Sequence, residues 1–169
     1  HFLFCLFDSS LFSSLLVWLA VIYFVNLFKK PTPGFIDLLN GISSPFVTAD
    51  SPEYRLLAEK GYLLKDTTQQ PAIIKWWNGQ SAVFDFTNPD ARSYFINELR
   101  NMQQSYGIDG FKFDGGDNQF YDRKDLVSYG NKHLNSVEHT RAWAEIGLQF
   151  PFNEYRAGWQ MGGKELVQR

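Results

Sequence analysis

The run Gly107-Ile108-Asp109-Gly110-Phe111-Lys112-Phe113-Asp114-Gly115-Gly116-Asp117 decides how the rest of the chain is read. Side chains alternate along an extended strand, so Phe111 and Phe113 share one face while Lys112 and Asp114 share the other. Gly115 and Gly116 let the backbone turn sharply after the strand and leave room for a ligand. Upstream, Asn88-Pro89-Asp90 is a cap-then-proline helix start, and Ala91, Phe95, Leu99, Met102 and Tyr106 recur at helical spacing until Gly107. A strand over 82–86 precedes that helix. The order strand, helix, strand is a βα crossover of the kind that builds parallel sheets.

Further out, 42–47 reads as a short strand. Ser51-Pro52-Glu53 opens a helix that runs to Lys60 and stops at Gly61. Residues 65–71 read as a polar loop, and the apolar run 72–77 closes on an Asn78-Gly79 turn. A helix is expected over 135–146, stopped by Gly147, with a strand over 148–152 behind it. The breaker cluster Pro31-Thr32-Pro33-Gly34 divides an apolar segment, 1–33, from the globular part, 34–169.

The apolar segment is expected to be helical. Leu11 to Phe28 is apolar except for Ser13, Ser14 and Asn26, and Lys29-Lys30 follows, a length near the ~20 residues of a membrane span. Three readings compete: a membrane anchor through 11–28, sequence wrongly joined to the coding frame, and a buried helix. The basic pair follows the apolar run instead of preceding it, unlike a signal peptide, and the chain opens on His1, so its start is expected to be incomplete.

The 169 residues carry a formal charge of -2, with 44% hydrophobic and 20% charged residues. That balance recruits no polyanion, and nucleic acid is not an expected partner. Aromatic residues reach 17%, and rings near polar loops either fill a core or stack on sugars. Cys5 has no partner for an internal disulfide and leaves the compartment unread. His1, His133 and His139 make no metal-ligand spacing with each other or with Cys5, so no metal is expected.

At the tip of its strand Asp114 admits two readings from spacing alone. It is either a nucleophile kept ionised by Lys112, two residues away on the same face, or a cap paired with Lys112 in a surface salt bridge. The surrounding motifs carry a resemblance. Gly107 to Asp117 resembles the nucleophile motif of glycoside hydrolase family 31, in members reading F-K-x-D-x-G-E or F-K-F-D-A-G-E/D. Ser44-Pro45-Phe46-Val47, Asp50-Ser51-Pro52, Trp76-Trp77-Asn78-Gly79 and Phe84-Asp85-Phe86-Thr87-Asn88-Pro89 stand upstream in the family's order. Downstream, Phe152-Asn153-Glu154-Tyr155-Arg156 and Trp159-Gln160-Met161-Gly162-Gly163 resemble the approach to the next catalytic strand. The similarity covers roughly 42–169, and the apolar start has no counterpart in it.

The resemblance implies an α/β fold, an incomplete (β/α)8 TIM barrel, since a whole barrel needs roughly 250 residues. It implies a retaining α-glycosidase acting on an oligosaccharide or other glycoside, with Asp114 as the covalent nucleophile. Lys112 then lines the sugar subsite and Trp77 forms an aromatic wall. Asp117 replaces a glutamate of many members, and Arg156 and Arg169 both fit the family's sugar-binding arginine. Asp85 and Asp50 read as local structure. The resemblance places the acid/base shortly beyond Arg169, so this stretch by itself is expected to be inactive. Two rivals stand beside it: a non-catalytic carbohydrate-binding or regulatory barrel protein, and a wrongly assembled gene.

Overall fold

The computed structural model describes residues 40–158, 160, 161, 163, 164, 167 and 168. The expected apolar helix over 11–28, the 31–34 boundary and Arg169 lie outside the described residues. Chain order is β1 (Asn40–Ser43), β2 (Phe46–Val47), α1 (Pro52–Lys60), β3 (Lys65–Asp66), β4 (Ile74–Trp76), β5 (Gly79–Val83), α2 (Pro89–Tyr106), β6 (Gly110–Phe113), a 3-10 turn (Asn118–Tyr121), β7 (Leu126–Ser128), β8 (Lys132–His133), α3 (Ser136–Gly147), β9 (Phe152–Tyr155) and β10 (Val167–Gln168). Strands β1, β6, β9 and β10 form one sheet in that order, every pair parallel. Two small antiparallel sheets, β2-β5-β4 and β3-β7-β8, come from the segments between those strands.

Each helix starts where a short polar side chain can accept from a free backbone N–H, as helix starts require. Ser51 Oγ accepts from Tyr54 N at 3.1 Å, Asn88 Oδ1 from Asp90 N at 2.9 Å, and Asn135 Oδ1 from Val137 N and Glu138 N at 3.0 and 3.2 Å. Helices α1 and α2 end at Gly61 and Gly107, both left-handed, with φ of 69° and 65°. Asn88 also donates its side-chain amide to Gly61 O at 3.3 Å, tying the start of α2 to the end of α1. Replacing Asn88 with Ala therefore removes a cap and a tie between helices. A loss of about 1–2 kcal/mol in chemical denaturation is expected.

The apolar face of α2 buries Ala91, Phe95, Ile96 and Leu99. Tyr106, expected on that stripe, is the last residue of α2 and is 56% exposed. Trp143 of α3 is fully buried between Phe86, Phe95, Phe113 and Tyr155, with ring centroids 5.3 to 5.9 Å away. Burial of a large side chain in such a cluster contributes roughly 1.5–3 kcal/mol each. The Tyr155 hydroxyl donates to Trp143 O at 2.9 Å and accepts from Gly147 N at 2.8 Å, fastening β9 to α3.

Four expectations change. The strand before α2 is not the parallel neighbour of β6: β5 pairs antiparallel with β2 and β4, and β1 takes the place beside β6. A strand-helix-strand pattern does not specify which earlier strand closes the crossover. Residues 42–47 split into β1 and β2, since Ser44 Oγ accepts from Phe46 N and bends the chain between them. Residues 65–71 contribute β3, paired with β7, instead of a free loop. Residues 148–151 wind into turns, with Gln149 N bonded to Ile146 O and Phe150 N to Gly147 O, so β9 starts only at Phe152.

Candidate active site

Phe111 and Phe113 are buried on the helix side of the parallel sheet, against Phe150, Trp143 and Tyr155. Strand alternation then turns Lys112 to the opposite face, where the register sets it beside Glu154. The ladder continues one residue past the strands. Asp114 N donates to Ser43 O at 2.8 Å, and Arg156 N donates to Phe113 O at 3.2 Å. Asp114 and Arg156 are thus the first residues beyond the carboxyl ends of β6 and β9, at one edge of the sheet and on the face shared by Lys112 and Glu154. In a barrel that edge carries the reactive groups.

Two glycines shape the turn after β6. Gly115 and Gly116 have φ of 77° and 79°, a backbone that side chains with a Cβ rarely adopt. A Cβ on Gly116 would sit 2.3 Å from Trp143 Cδ1, so the loop lies directly on the indole. Gly115 N donates to Asp114 Oδ1 at 3.1 Å and holds one carboxylate oxygen. The Asp114 side chain remains 24% exposed.

Arg156, one of two arginines the sequence left in balance, gathers the site. Its Nη1 is 3.9 Å from Asp114 Oδ1 and its Nε is 3.5 Å from Asp117 Oδ2, ion pairs at the long end of the range. Its guanidinium carbon lies 5.7 Å from the centre of the Trp77 ring, in cation–π reach. Among the described residues, the cation at ion-pair distance from Asp114 is therefore Arg156, not Lys112. A longer side chain on the neighbouring strand reaches the strand tip, whereas Lys112 lies two residues lower on β6 itself.

Trp77 reaches this edge on the β4–β5 hairpin. Trp76 and Gly79 pair across the hairpin, so Trp77 and Asn78 form its tip, one residue earlier than the expected turn. Trp76 stacks on Phe46 with centroids 4.0 Å apart and donates from Nε1 to Ser81 Oγ at 3.1 Å, fixing the hairpin. Trp77 itself is 57% exposed. Asp85 is buried and accepts from Thr87 N and Thr87 Oγ1 at 3.0 and 2.5 Å, closing a local turn. Asp50 is exposed at the entry to α1. No cluster of three or more metal-ligating side chains occurs among the described residues, and no described helix is long and apolar enough to cross a membrane.

Spacing gave no hint of the support beneath this loop. The Thr140 hydroxyl of α3 donates to Gly116 O at 3.0 Å across 24 residues. Beside it, His139 Nε2 contacts Phe84 O at 2.9 Å and its ring packs edge-on to Tyr121, centroids 4.5 Å apart. Burial pushes the His139 pKa below the ordinary imidazole value, against the opposing pull of Asp85.

A parallel sheet flanked by helices carries carboxylates, an arginine and an exposed tryptophan at its carboxyl edge, the edge where barrel-class enzymes place their reactive groups. The sequence profile of the glycosyl hydrolases family 31 TIM-barrel domain matches residues 24–161, and the chain belongs to that family. It is 34% identical over 117 residues to the myogenesis-regulating glycosidase of Mus musculus, a match that covers 69% of this chain and 16% of that protein. It is 28% identical over 111 residues to a sulfoquinovosidase of Agrobacterium fabrum, covering 64% of this chain and again 16% of the relative. Among solved structures, a family 31 sulfoquinovosidase from E. rectale superposes with a TM-score of 0.63 at 22% identity, over 72% of this chain and 20% of that one. A family 31 α-xylosidase from a soil metagenome gives 0.58 at 20% identity, over 78% and 20%. The chain thus spans about a sixth of the length of these curated relatives.

Proposed function

We propose that the protein carrying this chain is a retaining α-glycosidase in which Asp114 is the nucleophile. The observation that carries the reading is the partly exposed Asp114 carboxylate at the carboxyl end of β6, facing Arg156 and the Trp77 hairpin. In the first step an Asp114 oxygen bonds to the anomeric carbon as the glycosidic bond breaks, and the leaving oxygen takes a proton from a second carboxylic acid. In the second step that carboxylate draws a proton from water, the water oxygen bonds to the same carbon, and Asp114 leaves. Two inversions give net retention.

Retaining enzymes hold the two carboxyl groups about 5–5.5 Å apart on opposite sides of the scissile bond. Asp117 does not fit the second role, because it shares the Arg156 guanidinium with Asp114 on one loop. Glu154 lies level with Lys112, below the strand tip. We therefore assign the acid/base to a residue outside the described ones. Lys112 lines the sugar subsite, Asp117 supports it through Arg156, and Arg156 or Arg169 binds sugar hydroxyls. The reading takes no cofactor, and its substrate is a small α-linked oligosaccharide or glycoside. Relatives named as a sulfoquinovosidase and as α-xylosidases support a sugar-cleaving site without choosing the sugar.

Proton NMR of the first sugar released tests the stereochemistry. The α anomer is expected, and initial release of the β anomer contradicts the mechanism. Trp77 offers an exposed ring to the sugar face, so Trp77→Ala is expected to raise KM roughly tenfold with the fold intact, the scale of one aromatic contact. Unchanged KM across a substrate series removes Trp77 from the subsite.

A further inference from the structure

Helix α3 touches the loop behind Asp114 at two consecutive turns of one face. Thr140 is fully buried and donates its hydroxyl to Gly116 O at 3.0 Å, and Trp143 is fully buried with its indole against the Gly116 Cα. The loop needs such a hold. Gly115 and Gly116 are both left-handed, and neither has a side chain of its own to anchor the turn. On one side of Gly116 stands the Gly115 N–H that binds Asp114 Oδ1, and on the other stands Asp117, paired with Arg156. Gly116 O belongs to the peptide unit that leads into Asp117, so the Thr140 hydroxyl fixes the hinge between the two carboxylates.

We infer that Thr140 is a positioning residue for the reaction: its hydrogen bond to Gly116 O sets the aim of Asp114 without contacting the sugar. The inference rests on Asp114 being the nucleophile. A carbonyl in a buried loop that loses its side-chain donor turns toward another partner, and two adjacent glycines offer little resistance. Displacement of a nucleophile by a fraction of an ångström weakens attack while leaving most sugar contacts in place. The rate constant for turnover should therefore fall more than the affinity for substrate.

Valine keeps the shape of Thr140 and removes the hydroxyl, and serine keeps the hydroxyl. In the complete protein, Thr140→Val is expected to lower kcat about ten- to a hundredfold, with KM changed less than about threefold, and Thr140→Ser to restore kcat to within a fewfold of wild type. If Thr140→Val does not fold, the comparison of Thr140→Ser with Thr140→Ala isolates the hydroxyl, since both lack the methyl group; serine is then expected to be the faster enzyme by about tenfold. Equal kcat in the valine and wild-type enzymes, or in the serine and alanine enzymes, overturns the inference. So does a loss of thermal stability in Thr140→Val with kcat unchanged. Asp114→Asn run alongside separates the two claims: if that variant turns over as wild type, the nucleophile assignment fails and this inference falls with it. If Asp114→Asn is inactive and Thr140→Val is normal, only the role of Thr140 is lost.

Discussion

Asp114→Asn is expected to abolish turnover, by several orders of magnitude in kcat, while the protein keeps its fold. The amide is nearly isosteric with the carboxylate and can still accept from Gly115 N, now 3.1 Å from Asp114 Oδ1. Little packing is lost, because the side chain is partly exposed and its pairing with Arg156 at 3.9 Å is long; such ion pairs contribute at most about 1 kcal/mol. The chemistry has no comparable reserve. A neutral amide is a poor nucleophile at the anomeric carbon, and among the described residues no other carboxylate stands at the tip of β6 to replace it. Circular dichroism and thermal melting should match wild type, and hydrolysis of an aryl glycoside should fall to background. Residual activity within tenfold of wild type means that another group does the bonding.

The second large effect is structural. Trp143→Ala is expected to cost about 3–5 kcal/mol in denaturant unfolding, enough to threaten a domain of ordinary stability. The indole sits within 6 Å, centroid to centroid, of Phe86, Phe95, Phe113 and Tyr155, which come from the segment before α2, from α2 itself, and from two neighbouring parallel strands. Its removal leaves a cavity where helices meet sheet, and the rigid elements around it limit collapse. The same deletion takes away the surface on which Gly116 rests. Activity should therefore fall at temperatures where the protein is still folded. A cost under about 1 kcal/mol contradicts the central place given to this ring.

Much of the local structure was legible because local chemistry decides it. Ser51-Pro52 and Asn88-Pro89 announce helix starts through a side-chain acceptor and a pre-set φ, and Gly61 and Gly107 announce ends because only glycine takes the left-handed turn cheaply. The alternation in Phe111 to Asp114 placed the carboxylate on the face away from the core because strand period is fixed. The hidden features depend on partners far along the chain. Nothing within 82–113 tells that β6 pairs with β1 instead of β5. Arg156 and Arg169 were equivalent as residue types, and only the β6–β9 register puts Arg156 opposite Asp114. Thr140 reads as an ordinary helix residue until the loop 24 positions upstream is seen to rest on it. Spacing left Lys112 either as a nearby charge or as a salt-bridge partner of Asp114, whereas the cation that comes within 3.9 Å of that carboxylate reaches over from the next strand.

The proposed chemistry turns on a bond between Asp114 and a sugar carbon. Incubating the complete protein with a mechanism-based covalent glycosidase inhibitor and mapping the modified peptide by mass spectrometry tests this most directly. One sugar adduct per molecule is predicted, in the peptide containing Gly110 to Asp117 and on the Asp114 carboxylate, with none formed in Asp114→Asn. An adduct on any other side chain contradicts the assignment, as does a catalytically active enzyme that accumulates no adduct while converting substrate to product of inverted configuration.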